Sequence, residues 1–296
     1  MVGKISISRR IFLICNAAVF FLVILACILP VLHVVFASLS DPVWVMGKNG
    51  LIWHIHGFNL EGYRLVLTNN TLLTSYLNTF IYVIAGTAIG MLVTVMGAYV
   101  LSRPDFLWKN IIMFLVTFTM LFSGGIIPLY LVVTKTLHLF DSRWAVIFPS
   151  CITAFNLIIM RTAISSLPPS MEESAMLDGA GRMTILFRII IPLVKASVAT
   201  VILYYAVSHW NSWFYASIFL RTRSKYPLQL VLKEILITSD GASSAVSAGE
   251  FAEDTILYKQ LFKYCAIVLS TIPVFVFYPF IQKYFEAGVM IGAIKE

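Results

Sequence analysis

Residues 161–192 read RTAISSLPPSMEESAMLDGAGRMTILFRIIIP and form a polar break between two long apolar stretches. Pro168 and Pro169 predict the end of the preceding helix, because a proline inside a helix removes a hydrogen-bond donor and clashes with the preceding turn. Ser170 and Glu173 have the spacing of a capping box, in which the serine hydroxyl caps a new helix and the glutamate reaches back to it. The sequence therefore predicts that a short helix starts at this point.

The remainder of this stretch predicts a turn and a second short helix. The first helix is expected to run to about Asp178, after which Gly179 permits a sharp change of direction. Arg182 and Arg188 then lie among apolar residues, and Pro192 suits the first turn of the next long helix. Such a helix–turn–helix with charged and small residues is suited to docking into another protein. An amphipathic loop in the membrane interface is the alternative that these residues leave open.

The composition predicts that the rest of the chain lies in lipid. Of the 296 residues, 59% are apolar and 12% are charged, and the mean hydropathy is +0.89. Soluble domains carry about 25% charged residues, and a core of ordinary size could not hide so much apolar surface. The apolar runs are too long for barrel strands and do not alternate. We therefore predict an all-α integral membrane protein.

Six apolar stretches are long enough to cross a bilayer, since a membrane-spanning helix needs about 20 residues. They are predicted at 11–37, 76–101, 110–133, 144–164, 193–214 and 261–280. An even number of spans places both termini on one side, and the count of basic residues, eleven on that side against ten on the other, barely decides which side it is. The greater weight of short loops, together with the family resemblance given below, places the termini in the cytoplasm. The prediction is one transmembrane domain, 1–296, with 161–192 in the cytoplasm and a polar extracellular loop at 215–260.

Several functional classes are disfavoured by what the sequence lacks. The net charge of +7 does not indicate nucleic-acid binding, because the basic residues form no runs. The four cysteines lie in apolar stretches without CxxC spacing, so no metal site is predicted. No GxxxxGK[ST] motif occurs, so the chain is not expected to bind ATP itself. A membrane enzyme such as an intramembrane hydrolase is one alternative, but no HExxH motif occurs and His33 and His209 have no acidic or Cys partner at helical spacing.

The motif at 173–192 resembles the EAA loop of permease subunits in binding-protein-dependent ABC importers. In that family Glu-Ala-Ala is followed by three residues, a glycine, nine residues and Ile-x-Leu-Pro, and this chain keeps that spacing. It departs at Ser174 and Ile191, which replace residues of similar size. The resemblance implies that 161–192, called here the coupling segment, docks into an ATP-binding subunit. The residues implied in that joint are Glu173, Ser174, Ala175, Asp178, Gly179, Ile189 and Pro192.

Other segments extend the resemblance over nearly the whole chain. The segments FSGGIIP, HWNSWF, YPLQL and GVMIG begin at residues 122, 209, 226 and 288. They are similar to the smaller permease subunit of maltose-type importers and to oligosaccharide permeases of Gram-positive bacteria. The resemblance implies a type I ABC importer (MetI-like) permease fold of six transmembrane helices, in a bacterial cytoplasmic membrane.

The same resemblance implies a set of partners and a function. This chain would be the non-catalytic pore subunit for sugars or oligosaccharides, beside a second, different permease subunit. Two ATP-binding subunits would hold ATP and Mg, and an extracellular lipid-anchored solute-binding protein would deliver the cargo, with the loop 215–260 reaching into it. An ion-coupled secondary sugar transporter is the alternative function. That class commonly buries a carboxylate at membrane depth, and no Asp or Glu lies in the middle of a predicted span.

Polar and aromatic residues in the predicted spans are candidates for the substrate pathway. Aromatic faces stack on sugar rings, and amides hydrogen-bond to sugar hydroxyls. Interhelical hydrogen bonds or an interfacial aromatic belt would explain each of these residues equally well. The candidates are Asn78, Tyr82, Asn156, Tyr204, Tyr205, His209, Trp210, Asn211 and Trp213. Near the predicted outer ends, Arg143, Arg221 and Arg223 would favour an acidic sugar but equally suit membrane anchoring.

Overall fold

The computed structural model describes residues 7–48, 50–246 and 260–279, and these residues form helices and connections without strands. The helices are α1 Ile7–Leu39, α2 Pro42–Gly47, α3 Glu61–Thr68, α4 Asn70–Ser102, α5 Lys109–Leu121, α6 Ile126–Leu131, α7 Trp144–Ile147, α8 Ala154–Ser165, α9 Pro169–Leu177, α10 Arg182–Ile185, α11 Ile191–Leu193, α12 Lys195–Trp210, α13 Trp213–Phe219, α14 Leu228–Val246 and α15 Gln260–Pro279. Short π-helical turns at Val132–Thr136 and Leu186–Ile190 extend α6 and join α10 to α11.

The helices account for the predicted spans in two ways. Three of them, α1, α4 and α15, are each long and apolar enough to cross a membrane. Three bent pairs pass the same test together, at 109–136, 144–165 and 182–210, so the described residues contain up to six spans if each bent pair is one span. The all-α membrane fold predicted from the sequence is confirmed.

The bent pairs differ from the straight spans that hydropathy predicts. The third predicted span bends by 113° between α5 and α6, where Gly125 has φ +81. A residue with a side chain rarely adopts that conformation, so the double glycine at 124–125 allows the break. Most of the fifth predicted span, 193–214, is the helix from Lys195 to Trp210, which bends by 89° against the preceding helix. Pro192 lies just before this bend and offers no N–H to the helix.

The region 215–260, predicted as a polar loop, also departs from the prediction, because much of its first part is helical. It contains the end of α13, a 3-10 turn at Arg223–Lys225 and all of α14. Leu228, Val231 and Leu232 are buried at the i, i+3, i+4 spacing of a helix face. This periodicity could have been detected in the sequence, where the charged and small residues further on obscured it. Residues 247–259 of the predicted loop lie outside the described residues.

One compact unit contains the described residues of Met1–Asn69 and Glu234–Ile272. Within it, Gly62 of α3 lies against α15, where a Cβ on the glycine would be 2.6 Å from the sulfur of Cys265. The Ser38 and Tyr63 hydroxyls share a hydrogen bond of 2.6 Å. The His33 Nδ1 accepts from the Ile52 N–H at 3.0 Å. These contacts tie the end of α1 to the helix and loop that follow it.

A second compact unit contains the described residues of Asn70–Lys233 and Pro273–Glu296, and it includes the whole coupling segment. Its centre is α4, which packs against both α8 and α12. Gly86 and Gly90 let α12 approach closely, because a Cβ at either position would lie within 3.3 Å of the His209 or Tyr205 ring. Small residues at a helix interface allow this close approach in membranes. The Thr94 and Tyr205 hydroxyls share a hydrogen bond of 2.6 Å across the same interface.

Candidate functional site at the coupling segment

The first helix of the coupling segment, α9, begins one residue before the predicted capping box. Pro169 occupies its first turn, Pro168 is the N-cap residue, and no side chain caps the helix. Ser170 lies inside the helix, where its carbonyl accepts from the Ser174 hydroxyl at 2.8 Å. The capping-box prediction is therefore wrong. The fixed φ of Pro169 suits the first helical position, so the helix starts before the serine can cap it.

The end of α9 agrees with the sequence. Gly179 has φ +80, the left-handed conformation that favours glycine. The Gly179 N–H donates to the Met176 carbonyl and the Ala180 N–H to the Ala175 carbonyl, both at 3.0 Å. These two bonds form a Schellman motif, which satisfies the last carbonyls of the helix and reverses the chain. The predicted turn after Asp178 is confirmed.

The two sides of α9 have opposite characters. Ala175 is 8% exposed and packs into the core formed with α4 and α8. Glu173, Ser174 and Asp178 are exposed, and the Leu177 side chain projects outward at 89% exposure. Because single exposed apolar residues are common on protein surfaces, docking at this side of α9 rests on the resemblance and stays a prediction. We call these outward residues, 173, 174, 177 and 178, the docking face.

The last two residues implied by the resemblance lie apart from this surface. Ile189 is half-buried in the π-helical turn after α10 and packs against the core. Pro192 is exposed in α11, immediately before the 89° bend. Their position suggests that they shape the bend at the start of α12. No observation tests the coupling role predicted for any of these residues, and it stays a prediction.

A buried arginine fastens α9 to the end of α4. Arg103 is 7% exposed and donates to the Glu172 carboxylate, which also accepts from the Tyr99 hydroxyl. The Arg103 guanidinium lies over the Tyr99 ring at 4.9 Å. Nearby, Arg161 of α8 donates to the Leu101 carbonyl at 3.0 Å. These contacts attach α9 and α8 to the C-terminal end of α4.

Sequence reasoning missed this pair. It selected Glu173, whose side chain points outward, while its neighbour Glu172 makes the buried contact. Arg103 is not among the site residues predicted from the sequence. The available signal was a lone arginine between an apolar helix and a proline, since a charge at such a position needs a partner.

Six of the predicted pathway residues are buried within this unit. The Asn78 amide donates to the Ser224 carbonyl at 2.7 Å and the Tyr226 carbonyl at 3.1 Å. The Tyr82 hydroxyl donates to the Lys225 carbonyl at 2.8 Å. The structure thus shows the alternative role for both, a bond between elements. The others are Asn156, Tyr205, His209 and Trp210, between 0% and 7% exposed.

The other three pathway candidates are accessible. Tyr204 is 37% exposed and Trp213 is 36% exposed, and Asn211 is also exposed, beyond the last turn of α12. The Lys233 ammonium lies 3.8 Å from the centre of the Trp213 ring. An aromatic face, an amide and a cation together offer stacking, hydrogen bonding and charge to a sugar. A pathway role remains a prediction for all of the candidates.

Asp141 organises the loops near the opposite end of α4. Its carboxylate accepts from the Arg221 N–H at 2.9 Å, the Thr222 N–H at 3.0 Å and the Lys225 ammonium at 2.9 Å. Hydrogen bonds from the Thr222 hydroxyl and N–H, aided by those from Arg221 and Lys225, hold the pKa of Asp141 well below its usual value. Asp141 itself has φ +54, so several bonds hold an uncommon backbone conformation in place.

Replacing Asp141 by Asn is expected to lower stability near neutral pH. Asn adopts positive φ readily, so the change removes charge without disturbing the backbone. The melting temperature of the purified protein should fall by about 2–4 °C, for the loss of about 1 kcal/mol. Because the folded pKa is depressed, this stability is present above the unfolded value of about 3.9 and lost as the pH falls below it.

The pH profile separates this effect from a general loss of stability. Thermal unfolding between pH 3 and 7 should show a smaller acid-induced decrease in Asp141→Asn than in the wild type. Asp105→Asn is the control, because the Asp105 side chain is 61% exposed and its nearest cation lies 3.8 Å away. Equal effects of the two substitutions would contradict the role given to Asp141.

Comparison with known proteins gives a consistent picture. Residues 86–290 match the family described as binding-protein-dependent transport system inner membrane component. The chain is 41% identical to the polygalacturonan/rhamnogalacturonan transport system permease protein YtcP of Bacillus subtilis, over 92% of this chain and 93% of that protein. It is 36% identical to Protein LplC of the same organism, over 97% of this chain and 96% of the relative.

A solved structure shows the same fold. It is a chain of a bacterial ABC transporter involved in the import of the acidic polysaccharide alginate. The TM-score is 0.84 with 32% sequence identity, over 96% of the present chain and 100% of the other. The six-helix importer fold implied by the resemblance is thereby confirmed.

Proposed function

Because this chain belongs to the family of inner membrane components of binding-protein-dependent transport systems, we propose that it is the permease subunit of an ABC importer that carries oligosaccharides into the cell. It is a multi-pass membrane protein of a family whose members are transport permeases. The observation that best supports the proposal is the docking face of α9, held by a buried arginine on the end of α4. This geometry suits a joint through which a partner moves the spans.

The proposed energy source lies in partner chains. Two ATP-binding subunits would hold ATP and Mg and would receive the docking face, while this chain needs no cofactor of its own. A second permease subunit and a lipid-anchored extracellular binding protein would complete the complex. In this arrangement both termini and the coupling segment are cytoplasmic. Closure of the ATP-binding subunits would move α9, and the bond between Glu172 and Arg103 would carry that movement to α4.

We further propose that the cargo is an acidic oligosaccharide. Near the N-terminal end of α4, the Arg143 guanidinium donates to the Asn78 amide oxygen and the Lys225 ammonium pairs with Asp141, while the Arg221 guanidinium lies over the Phe140 ring. This excess of positive charge would concentrate a uronate-bearing chain near the entrance. The printed names of the polygalacturonan permease and the alginate importer refer to acidic polysaccharides, which supports the same class of cargo here.

Ion-coupled secondary transport finds no support. All six candidate spans among the described residues lack Asp and Glu, whereas carboxylates at membrane depth are typical of proton and sodium coupling. The related proteins and the matched structure are components of ABC importers or of permease systems.

Leu177→Asn provides a direct test of the docking face. The side chain is 89% exposed, so the substitution should leave the fold intact and weaken association with the ATP-binding subunits by about tenfold, as for a hot-spot residue. The measurements are co-purification of those subunits and ATP-dependent uptake of labelled oligogalacturonate and maltooligosaccharide into vesicles containing the binding protein.

The same uptake assay tests the proposed cargo. The wild-type complex should take up the acidic oligogalacturonate in preference to the neutral maltooligosaccharide.

Leu107→Asn is the matched control, because Leu107 is 91% exposed but lies outside the coupling segment. It should co-purify and transport like the wild type. Uptake by this chain without any ATP-binding subunit would overturn the importer proposal. Preferential uptake of the neutral sugar would overturn only the acidic cargo.

A further inference from the structure

A cavity of about 420 Å³ lies between the C-terminal end of α4 and the start of α10. It is formed entirely within the second compact unit. Cationic and apolar side chains line different parts of its wall, and the docking of α9 does not use it.

The cationic part consists of Arg103 and Arg182. The Arg103 side chain is 8% exposed, and its Nε is buried without a hydrogen-bond partner in the part of the chain that the structure describes. Arg103 also binds the Glu172 carboxylate, which is not part of the lining. Arg182 is 71% exposed, and Asp105, the one carboxylate among the described lining residues, lies 3.8 Å from Arg182 and 4.0 Å from Arg103. Both distances exceed hydrogen-bond length, so an anionic oxygen could satisfy the buried N–H.

The apolar part faces along α4 and α10. Met96, Val100 and Met183 line it, and all three side chains are exposed. Immediately beyond the cavity, Leu107 is 91% exposed and Trp108 is 61% exposed. An exposed tryptophan at the end of an apolar helix is typical of the membrane–water interface. The wall therefore changes from apolar at Met96 and Val100 to cationic at Arg103, just after the end of α4.

We propose that this cavity binds an acidic phospholipid of the cytoplasmic leaflet. The phosphodiester would accept hydrogen bonds from Arg103 Nε and from Arg182, and an acyl chain would lie against Met96 and Val100. Basic pockets at the cytoplasmic ends of spans suit anionic headgroups. A free phosphate shares the headgroup chemistry but gains nothing from the apolar wall. Because Arg103 also holds Glu172, a bound lipid would brace the attachment of α9 to α4.

The test is lipid retention by the purified complex. Native mass spectrometry would follow titration with phosphatidylglycerol, phosphatidylcholine or inorganic phosphate. We expect retention of phosphatidylglycerol in preference to phosphatidylcholine, weakened about five- to tenfold by Arg182→Gln, which removes a charge-assisted hydrogen bond. Arg188→Gln is the matched control, because Arg188 is exposed in the same segment but does not line the cavity, and it should retain lipid like the wild type.

A second variant tests the apolar wall separately. Met183→Glu places a carboxylate beside the proposed acyl chain and should abolish preferential retention while thermal unfolding stays unchanged. Equal retention of the two lipids, equal effects of the two arginine substitutions, or competition by inorganic phosphate at the same concentration as lipid would overturn the proposal. Retention is measured without cargo or ATP, so its failure would leave the import function untouched.

Discussion

Gly86→Val is expected to destabilise the protein strongly, because position 86 lies where α4 approaches the His209 ring of α12 most closely. A Cβ at position 86 would lie 2.4 Å from two atoms of the His209 ring, and His209 is fully buried. Because the ring is rigid and enclosed, the helices must separate. Overpacking of this kind costs about 1–3 kcal/mol, and the separation of two helices should place this case at or above the upper value. The measurement is thermal unfolding of the purified protein.

Gly97→Val is the matched control on the same helix. A Cβ at position 97 would meet only the Leu157 Cδ1 at 3.3 Å, the end of a flexible side chain that can move away. Its melting temperature should stay close to that of the wild type. In the Gly86→Val background, His209→Ala should recover part of the lost stability by making space. Similar effects of the two glycine substitutions would show that the close approach at His209 does not limit the packing.

Arg103→Met is expected to produce the largest loss of coupling. The substitution removes the charged partner of Glu172, whose side chain is 25% exposed. Of the two hydrogen bonds to this carboxylate, only the one from the Tyr99 hydroxyl remains. Breaking a fully buried ion pair costs about 3–5 kcal/mol, and solvent at Glu172 should reduce this to about 1–3 kcal/mol. With α9 released from α4, transport should fall at least about tenfold while ATP hydrolysis continues, since about 1.4 kcal/mol changes an equilibrium tenfold.

The double variant Arg103→Met, Glu172→Met tests whether the two residues stabilise the protein as a pair or independently. Removing both charges leaves no unpaired carboxylate, and an apolar replacement of a buried pair is often neutral for stability. Stability should therefore return towards the wild-type value, which a double-mutant cycle would express as a coupling energy. Stability equal to the sum of the two single losses would show that the residues do not act as a unit.

The positions of the membrane helices were predictable because the signal is local. A span needs about 20 apolar residues whatever surrounds it, and α1, α4 and α15 lie where hydropathy places them. The turn at Gly179 was predictable for a similar reason, since few residues other than glycine adopt its φ. The capping box failed because Pro169, one residue earlier, determined where α9 starts.

The contacts of the candidate pathway were not predictable. Asn78 and Tyr82 have the residue types expected of a sugar-binding surface, yet both bond to the backbone at 224–226, more than 140 residues away in the chain. Composition cannot distinguish these roles, because an amide or phenol makes the same hydrogen bonds to a sugar as to a carbonyl.

The sequence by itself determined that this protein is helical and apolar enough to lie in a membrane, and that the chain turns at Gly179, because hydropathy and a left-handed glycine act within a few residues. Tertiary structure alone decided which side of α9 faces outward, that Glu172 rather than Glu173 binds Arg103, and that three spans are bent. These features depend on groups brought together from distant parts of the chain. Their energies arise from burial and pairing, which exist only once the helices have packed.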